Sequence, residues 1–288
     1  MIKLLALDLD GTLLTSRGKI PEENIRAIRR AEEKGVLVTI ATGRRFRDAR
    51  PVGLEIELNA PIICHNGALI KHADSLENIA VSLLPRPTLH DILRVGREFG
   101  ADAMMSCDPI GKGTLYYDRV SEENYPLQSY IKWSRHLHGD EAEESLHHAE
   151  NLEDIIERNE TVHVSFSGSC APMQRLQMVL ETELETAANV LATIYPHLDF
   201  TLLDILPSDA SKGIAVEKLA RINKFSAENV MVIGDNYNDL EMLEYAGTSV
   251  VMGNASPELL ETEGFETTLS NDENGVALAI ERFIFGNG

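Results

Sequence analysis

Apolar residues arrive in short bursts along this chain, each burst ends in polar residues, and the bursts alternate with stretches of helical spacing. Leu4, Leu5, Ala6 and Leu7 form the first continuous run, which reads as a strand buried on both faces of a parallel sheet. Asp8 and Asp10 follow at once, and Gly11 and Thr12 then permit a sharp turn. A buried unpaired carboxylate is costly, so the two aspartates mark the point where the strand emerges into a polar site. Pro21 suits the first turn of a helix on which Ile25, Ile28 and Ala31 recur, and Gly35 ends it. Val36–Ala41 is a β-branched strand leading into Thr42, Gly43 and Arg44, and Ile62–Cys64 leads into His65, Asn66 and Gly67. Near the C-terminus a strand at Val230–Ile233 is followed by Asp235. The helix after it carries Leu240, Leu243 and Ala246 on one face and closes at Gly247. "TSVVMGNA" is a further strand, and a last helix from about Gly275 aligns Val276, Ile280, Phe283 and Ile284.

Alternating β and α elements with short links predict an α/β fold with a doubly wound, Rossmann-like parallel sheet. Ligands of such sheets bind at the carboxyl ends of the strands, which is where Asp8, Asp10, Thr42, Arg44, Asn66 and Asp235 all fall. Between about Leu84 and Ile205 the pattern changes to helix, two strands, an acidic histidine-containing helical stretch, strand, helix and two strands. These strands need few crossover helices, so the segment reads as a separate α+β domain inserted into the parallel one. The expected division is 1–84 and 207–288 for the parallel domain and 85–206 for the insert, with boundaries near Pro85 and Pro207.

A chain of 288 residues, 43% hydrophobic and without an apolar run near membrane-spanning length, is expected to be a soluble globular protein. A net charge of −20 opposes binding to nucleic acid or to an anionic membrane surface. Met1 leads directly into the first strand with no room for a signal peptide, and Cys64, Cys107 and Cys170 are odd in number and widely spaced, which together suit a reducing cytoplasm. An anionic substrate then requires a locally positive pocket.

The residues gathered at the strand ends suit phosphoryl transfer, which depends on in-line attack and neutralisation of charge on the equatorial oxygens. Asp8 would be the carboxylate nucleophile, forming an aspartyl-phosphate, and Asp10 the acid/base that serves the leaving alcohol and then water. Thr42 and the Gly43 amide would donate to phosphate oxygens, Lys212 would offset charge, and Asp235 and Asp239 are further carboxylates. A hard Mg²⁺ ion held by one or two carboxylates and the substrate phosphate would complete the site.

Four separated segments, "DLDGTLL" from Asp8, "ATGR" from Ala41, "SKG" from Ser211 and "GDNYNDLEML" from Gly234, resemble the haloacid dehalogenase-like phosphohydrolases, in particular the Cof-like group with a large inserted cap of type IIB. "NGA" from Asn66, "MGNA" from Met252 and "NGVALAIE" from Asn274 support the likeness. The resemblance implies Asp8 as nucleophile and Asp10 as acid/base. It implies a metal site of Asp8, Asp10 through its backbone carbonyl, and Asp235. Thr42, Gly43, Lys212 and Asn238 would be phosphate ligands, with Asp239 in support. It also implies hydrolysis of a small phosphorylated metabolite such as a sugar phosphate, with Mg²⁺ as cofactor, in a monomer or weak homodimer. Two departures are Asp209, where the family usually has glycine, and Glu263 with Gly264, where it has small residues.

Plainer readings compete at several positions. Lys212 follows the N-cap candidate Ser211 and could be a solvated first-turn lysine. Asp239 could serve only the helix dipole. Arg44 and Arg45 read as a salt-bridged face. His136, His138, His147 and His148 match no zinc spacing and read as a solvated face. Cys64, Met104 and Met105 read as packing residues. Two other classes fit part of the pattern: a phospho-acceptor signalling module of the receiver type and a catalytically silent binding protein. The second aspartate, Asp10, speaks against the first, since its use is to turn the intermediate over.

Overall fold

The computed structural model describes residues 1–286. The chain forms two compact units, one of Met1–Arg44, Ala49–Ser75 and the residues from Ser211 onward, the other of Arg45–Asp48 and Leu76–Ala210. Among the described residues no helix is long and apolar enough to cross a membrane.

The first unit opens with β1 (Leu4–Leu7) and β2 (Leu37–Ile40), then turns back through β3 (Ile62–Cys64) and β4 (Leu69–Lys71). The second unit holds β5 (Asn78–Val81), β6 (Asp102–Cys107), β7 (Thr114–Tyr117), β8 (Leu146–His148), β9 (Thr161–Gly168), β10 (Ala188–Tyr195) and β11 (Phe200–Pro207). The chain then returns to the first unit for β12 (Val230–Gly234), β13 (Thr248–Val251) and β14 (Glu266–Thr267).

In the first unit the strands run parallel in the order β14-β13-β12-β1-β2. β1 lies between β12 and β2, and its four residues are completely buried, which is why the sequence there is unbroken Leu and Ala. Leu7 pairs with Ile233 on one side and Ile40 on the other, so β1 and β2 end level and β12 runs one residue further. Asp8, Thr42 and Asp235 therefore leave the sheet along one edge. The amphipathic helix Glu22–Glu33 covers the sheet with Ala27, Ile28 and Ala31 buried.

β3 differs from the expectation of another strand in the same ladder. It forms an antiparallel pair with β4, Ile63 opposite Ile70, and joins the parallel sheet through a single parallel bridge among the described residues, between Ala41 and Ile63. The cause is the tight turn at His65–Gly67, which reverses the chain.

The second unit is built on one sheet of order β10-β11-β9-β6-β7-β8. Helices Arg86–Glu98, Leu152–Arg158 and Cys170–Leu184 pack one face, burying Leu93, Met105, Phe166, Leu176 and Leu203. Helix Tyr125–His138 packs part of the other, over Met104, Leu115 and Tyr117. Met104 and Met105 are thus core residues, one on each face.

β8 is a finding against the helical reading of the acidic, histidine-rich stretch. It pairs parallel with β7, and His147 stacks on Tyr116. His138 also departs from the solvated face expected for it, being buried against Asp48 with Nε2 2.8 Å from Oδ1. Asp48 accepts from the Arg45 guanidinium at 2.9 and 3.0 Å and from the Tyr130 hydroxyl at 2.9 Å. Burial alone would raise the Asp48 carboxyl, but Arg45, with His138 and Tyr130, outweighs it and holds the group well below the usual carboxylate range. Asp209, the departure from the family's glycine, accepts from Ser82 Oγ at 3.0 Å and has no positive φ, so its backbone needs no glycine.

Candidate active site

The parallel edge of the first unit gathers an acidic cluster around one lysine. Ser211 caps the helix Lys212–Ile222 by accepting from the Ile214 amide, so Lys212 occupies its first turn. The side chain is not solvated. It is 1% exposed, and Nζ donates to Asp8 Oδ1 at 2.5 Å and to Asp239 Oδ1 at 2.6 Å. Burial disfavours its charged form, but the Asp239 and Asp8 carboxylates outweigh that and push the ammonium pKa upward. Asp239 does more than face a helix dipole. It is completely buried, and its second oxygen accepts from the backbone amides of Asp235 and Asn236, both at 3.0 Å.

Asp8, Asp235 and Asp239 each present an oxygen within 4.8 Å of the others. Burial drives the Asp8 carboxyl well above its ordinary value, against the pull of Lys212 and with Asp239 and Asp235 adding to the rise. Burial also lifts Asp235 to about 6, with Asp239 adding to the rise. Three carboxylates face one ammonium, so the ionised cluster carries two uncompensated negative charges. A hard divalent cation matches both that charge and the all-oxygen donor set. Asp239 has its oxygens engaged by Lys212 and two amides, which leaves Asp8 and Asp235 as the carboxylates suited to such an ion.

Thr12, absent from the candidates taken from sequence, donates Oγ1 to Asp235 Oδ1 at 2.8 Å and is completely buried. Gly11 adopts φ +84, and a Cβ there would stand 2.3 Å from Asp235 Oδ2, so only glycine lets the turn lie this close. The Asp10 side chain stands outside the acidic cluster. It is 57% exposed and meets Arg44 in a bidentate pair, Nε to Oδ2 at 2.8 Å and Nη2 to Oδ1 at 2.6 Å. Arg44 is therefore salt-bridged, as its plainer reading had it, but to a candidate catalytic group.

Thr42 is buried and its Oγ1 accepts from the Arg44 amide at 3.1 Å. The Asn66 amide donates to Thr42 O at 3.0 Å. His65 and Asn66 both hold positive φ, 53° and 49°, a strained pair of the kind that clusters at functional sites. Asn66 Oδ1 accepts from Asn238 Nδ2 at 3.1 Å, while Asn238 Oδ1 is buried without a partner. Asn238, Thr42 and Asn66 thus border the cluster from three different loops.

A protein-family model described as haloacid dehalogenase-like hydrolase matches residues 5–280. Among curated proteins the chain is similar to a 5-amino-6-(5-phospho-D-ribitylamino)uracil phosphatase of Bacillus subtilis, 30% identical over 305 residues and 99% of each chain. A pyridoxal phosphate phosphatase of Escherichia coli is 29% identical over 257 residues and 88% of each. Among solved structures, a Thermotoga maritima protein is 26% identical with a TM-score of 0.78, covering 98% of each chain. A haloacid dehalogenase-like hydrolase of Bacteroides thetaiotaomicron superposes with a TM-score of 0.80 at 24% identity, over 98% of this chain and 99% of the other.

Proposed function

The chain belongs to the haloacid dehalogenase-like hydrolases, and on that premise we propose that it is a Mg²⁺-dependent phosphatase of small phosphorylated metabolites working through an aspartyl-phosphate on Asp8. The observation that carries the reading is the buried Lys212 shared by Asp8 and Asp239, with Asp235 beside them. A lysine-neutralised carboxylate next to two more oxygen donors is what a phosphoryl group and a divalent cation together require. Phosphatases such as those named above act on phosphorylated ribitylaminouracil and on pyridoxal phosphate, which supports a phosphomonoester substrate.

A carboxylate oxygen of Asp8 attacks phosphorus in line, and the bond from phosphorus to the substrate's ester oxygen breaks. Asp10 gives that oxygen a proton, so the product leaves as an alcohol. It then takes a proton from water, whose oxygen attacks phosphorus and restores Asp8 as inorganic phosphate departs. Lys212, the Thr42 hydroxyl, the Gly43 amide and Asn238 hold the phosphate oxygens. Asp8, the Asp10 backbone carbonyl and Asp235 would hold Mg²⁺, which supplies Lewis-acid neutralisation of phosphoryl charge when bound. Arg44 holds both Asp10 oxygens in a bidentate pair, which has to open before Asp10 can carry and give up a proton. The second unit is the part proposed to read the leaving group as a cap, and the protein to act in the cytoplasm as a monomer or weak homodimer.

The test is hydrolysis across a panel of phosphomonoesters, with and without Mg²⁺, comparing wild type with Asp8→Asn. Mg²⁺-dependent turnover lost in the variant supports the reading, and equal rates in the two proteins would overturn it.

A further inference from the structure

The turn that carries Asp10 out of β1 makes few backbone bonds of its own: the Leu13 amide to Asp8 O at 3.3 Å and the Leu14 amide to Leu9 O at 2.9 Å. Further restraints come from the opposite end of the chain. Asn254, three residues beyond β13, donates Nδ2 to Gly11 O at 2.9 Å. Its Oδ1 accepts from the Asn271 amide, also at 2.9 Å. Asn271 is 8% exposed, and its own Nδ2 donates to Leu14 O at 2.8 Å. Next to it, Asp272 Oδ1 accepts from the Ser16 amide at 2.9 Å and the Ser16 hydroxyl at 3.2 Å. The segment holding these side chains is fixed to the sheet end in turn, since the Gly253 amide donates to Leu269 O at 3.1 Å.

The chain of bonds runs from residue 271 through 254 to residue 11 and returns to residue 14, so it pins the Gly11 carbonyl immediately before Thr12 and the Leu14 carbonyl two residues after it. What it pins bears directly on the acidic cluster. The Gly11 peptide is pressed against Asp235, with no room even for a methyl group, and the next residue donates its hydroxyl to that same carboxylate. A turn free to drift would lengthen and weaken the Thr12 bond to Asp235 and shift the Asp10 carbonyl as well. Neither asparagine meets the reacting groups. Each acts through the backbone of the turn.

We propose that Asn254 and Asn271 are positioning residues, a clasp that holds the Gly11–Leu14 turn so that Asp235 and the Asp10 carbonyl are already placed for a divalent cation. The catalytic half of this proposal rests on the phosphatase reading. The metal-affinity half does not.

The test uses the full-length protein as wild type, Asn254→Asp, Asn254→Ala and Asn271→Ala. Asn254→Asp keeps the acceptor for the Asn271 amide and loses only the donor to Gly11, while adding a negative charge that by itself would favour Mg²⁺. Hydrogen–deuterium exchange of residues 9–16 without metal, Mg²⁺ dissociation constants by titration calorimetry, and kcat and KM with a phosphomonoester are measured. The expected result is faster exchange at the Leu13 and Leu14 amides and Mg²⁺ binding weakened about fivefold to tenfold, the worth of one lost hydrogen bond. The fall in kcat should be of the same order, with KM within about twofold of wild type. Unchanged exchange and Mg²⁺ affinity in Asn254→Asp would overturn the clasp. Wild-type protein that hydrolyses no phosphomonoester would sink the phosphatase reading alone, because exchange and metal affinity still decide the clasp. Asn254 is exposed, so its variants remain informative if Asn271→Ala fails to fold.

Discussion

Replacing Asp239 with asparagine separates a structural carboxylate from a residue that only faces a helix end. The side chain is completely buried, with one oxygen on Lys212 at 2.6 Å and the other on two backbone amides at 3.0 Å each. An asparagine fits the same volume but has only one acceptor oxygen. If that oxygen keeps the amides, its NH₂ group is turned against the Lys212 ammonium. If it keeps Lys212, two N–H groups oppose the NH₂ instead. Either way a donor confronts a donor in a completely buried position. Hydrogen bonds to a charged group contribute about 1.5–3 kcal/mol each, and removing one partner of a buried ion pair costs about 3–5 kcal/mol. Lys212 keeps Asp8 at 2.5 Å, which offsets part of the loss, so we expect about 3 kcal/mol of destabilisation. A helix-dipole role alone would be worth about 0.3–1 kcal/mol. Urea unfolding at neutral pH distinguishes these values, and a loss under about 1 kcal/mol would refute the buried-pair reasoning.

Asp10→Asn should lower turnover by about 10² or more while leaving the fold intact, in line with general acid–base contributions, and steady-state kinetics will show it. Stability should also depend on pH through His163. Burial, with Arg45 adding, pushes its imidazole down to about 3, so between that value and the ordinary 6.5 the unfolded chain binds a proton the folded one refuses. The folded state is unpenalised above 6.5 and loses about 1.4 kcal/mol per pH unit below it. The stability of wild type relative to His163→Gln should therefore fall by about 2 kcal/mol between pH 7 and pH 5 in urea melts, and a pH-independent difference would contradict the assignment.

Much of the first unit can be read from sequence because its strands are buried on both faces and announce themselves as apolar runs. The same rule explains why Asp8, Thr42 and Asp235 can be gathered on one edge: three parallel strands in register release the chain within one or two residues of each other. What lies beyond that rule depends on partners far apart in the chain. Nothing in the pattern around Asp48 shows that Tyr130 and His138 will meet it, and a histidine among acidic residues looks solvated until the fold buries it. β8 is three residues long and two of them are histidines, too short for a period to emerge. Thr12, Asn254 and Asn271 act through single hydrogen bonds across more than 200 residues, which leave no trace in composition or spacing. Lys212 is the opposite case, a first-turn lysine by local chemistry whose burial could be inferred only from the likeness of "SKG" to a family segment.

The most direct test of the account is to catch the phosphorylated side chain. Enzyme acid-quenched during turnover and reduced with borohydride, which converts an aspartyl-phosphate to homoserine, should yield homoserine at position 8 by peptide mass spectrometry, only when substrate and Mg²⁺ are both present. Phosphoryl label at another residue, or rapid turnover with residue 8 always recovered as aspartate, would contradict it.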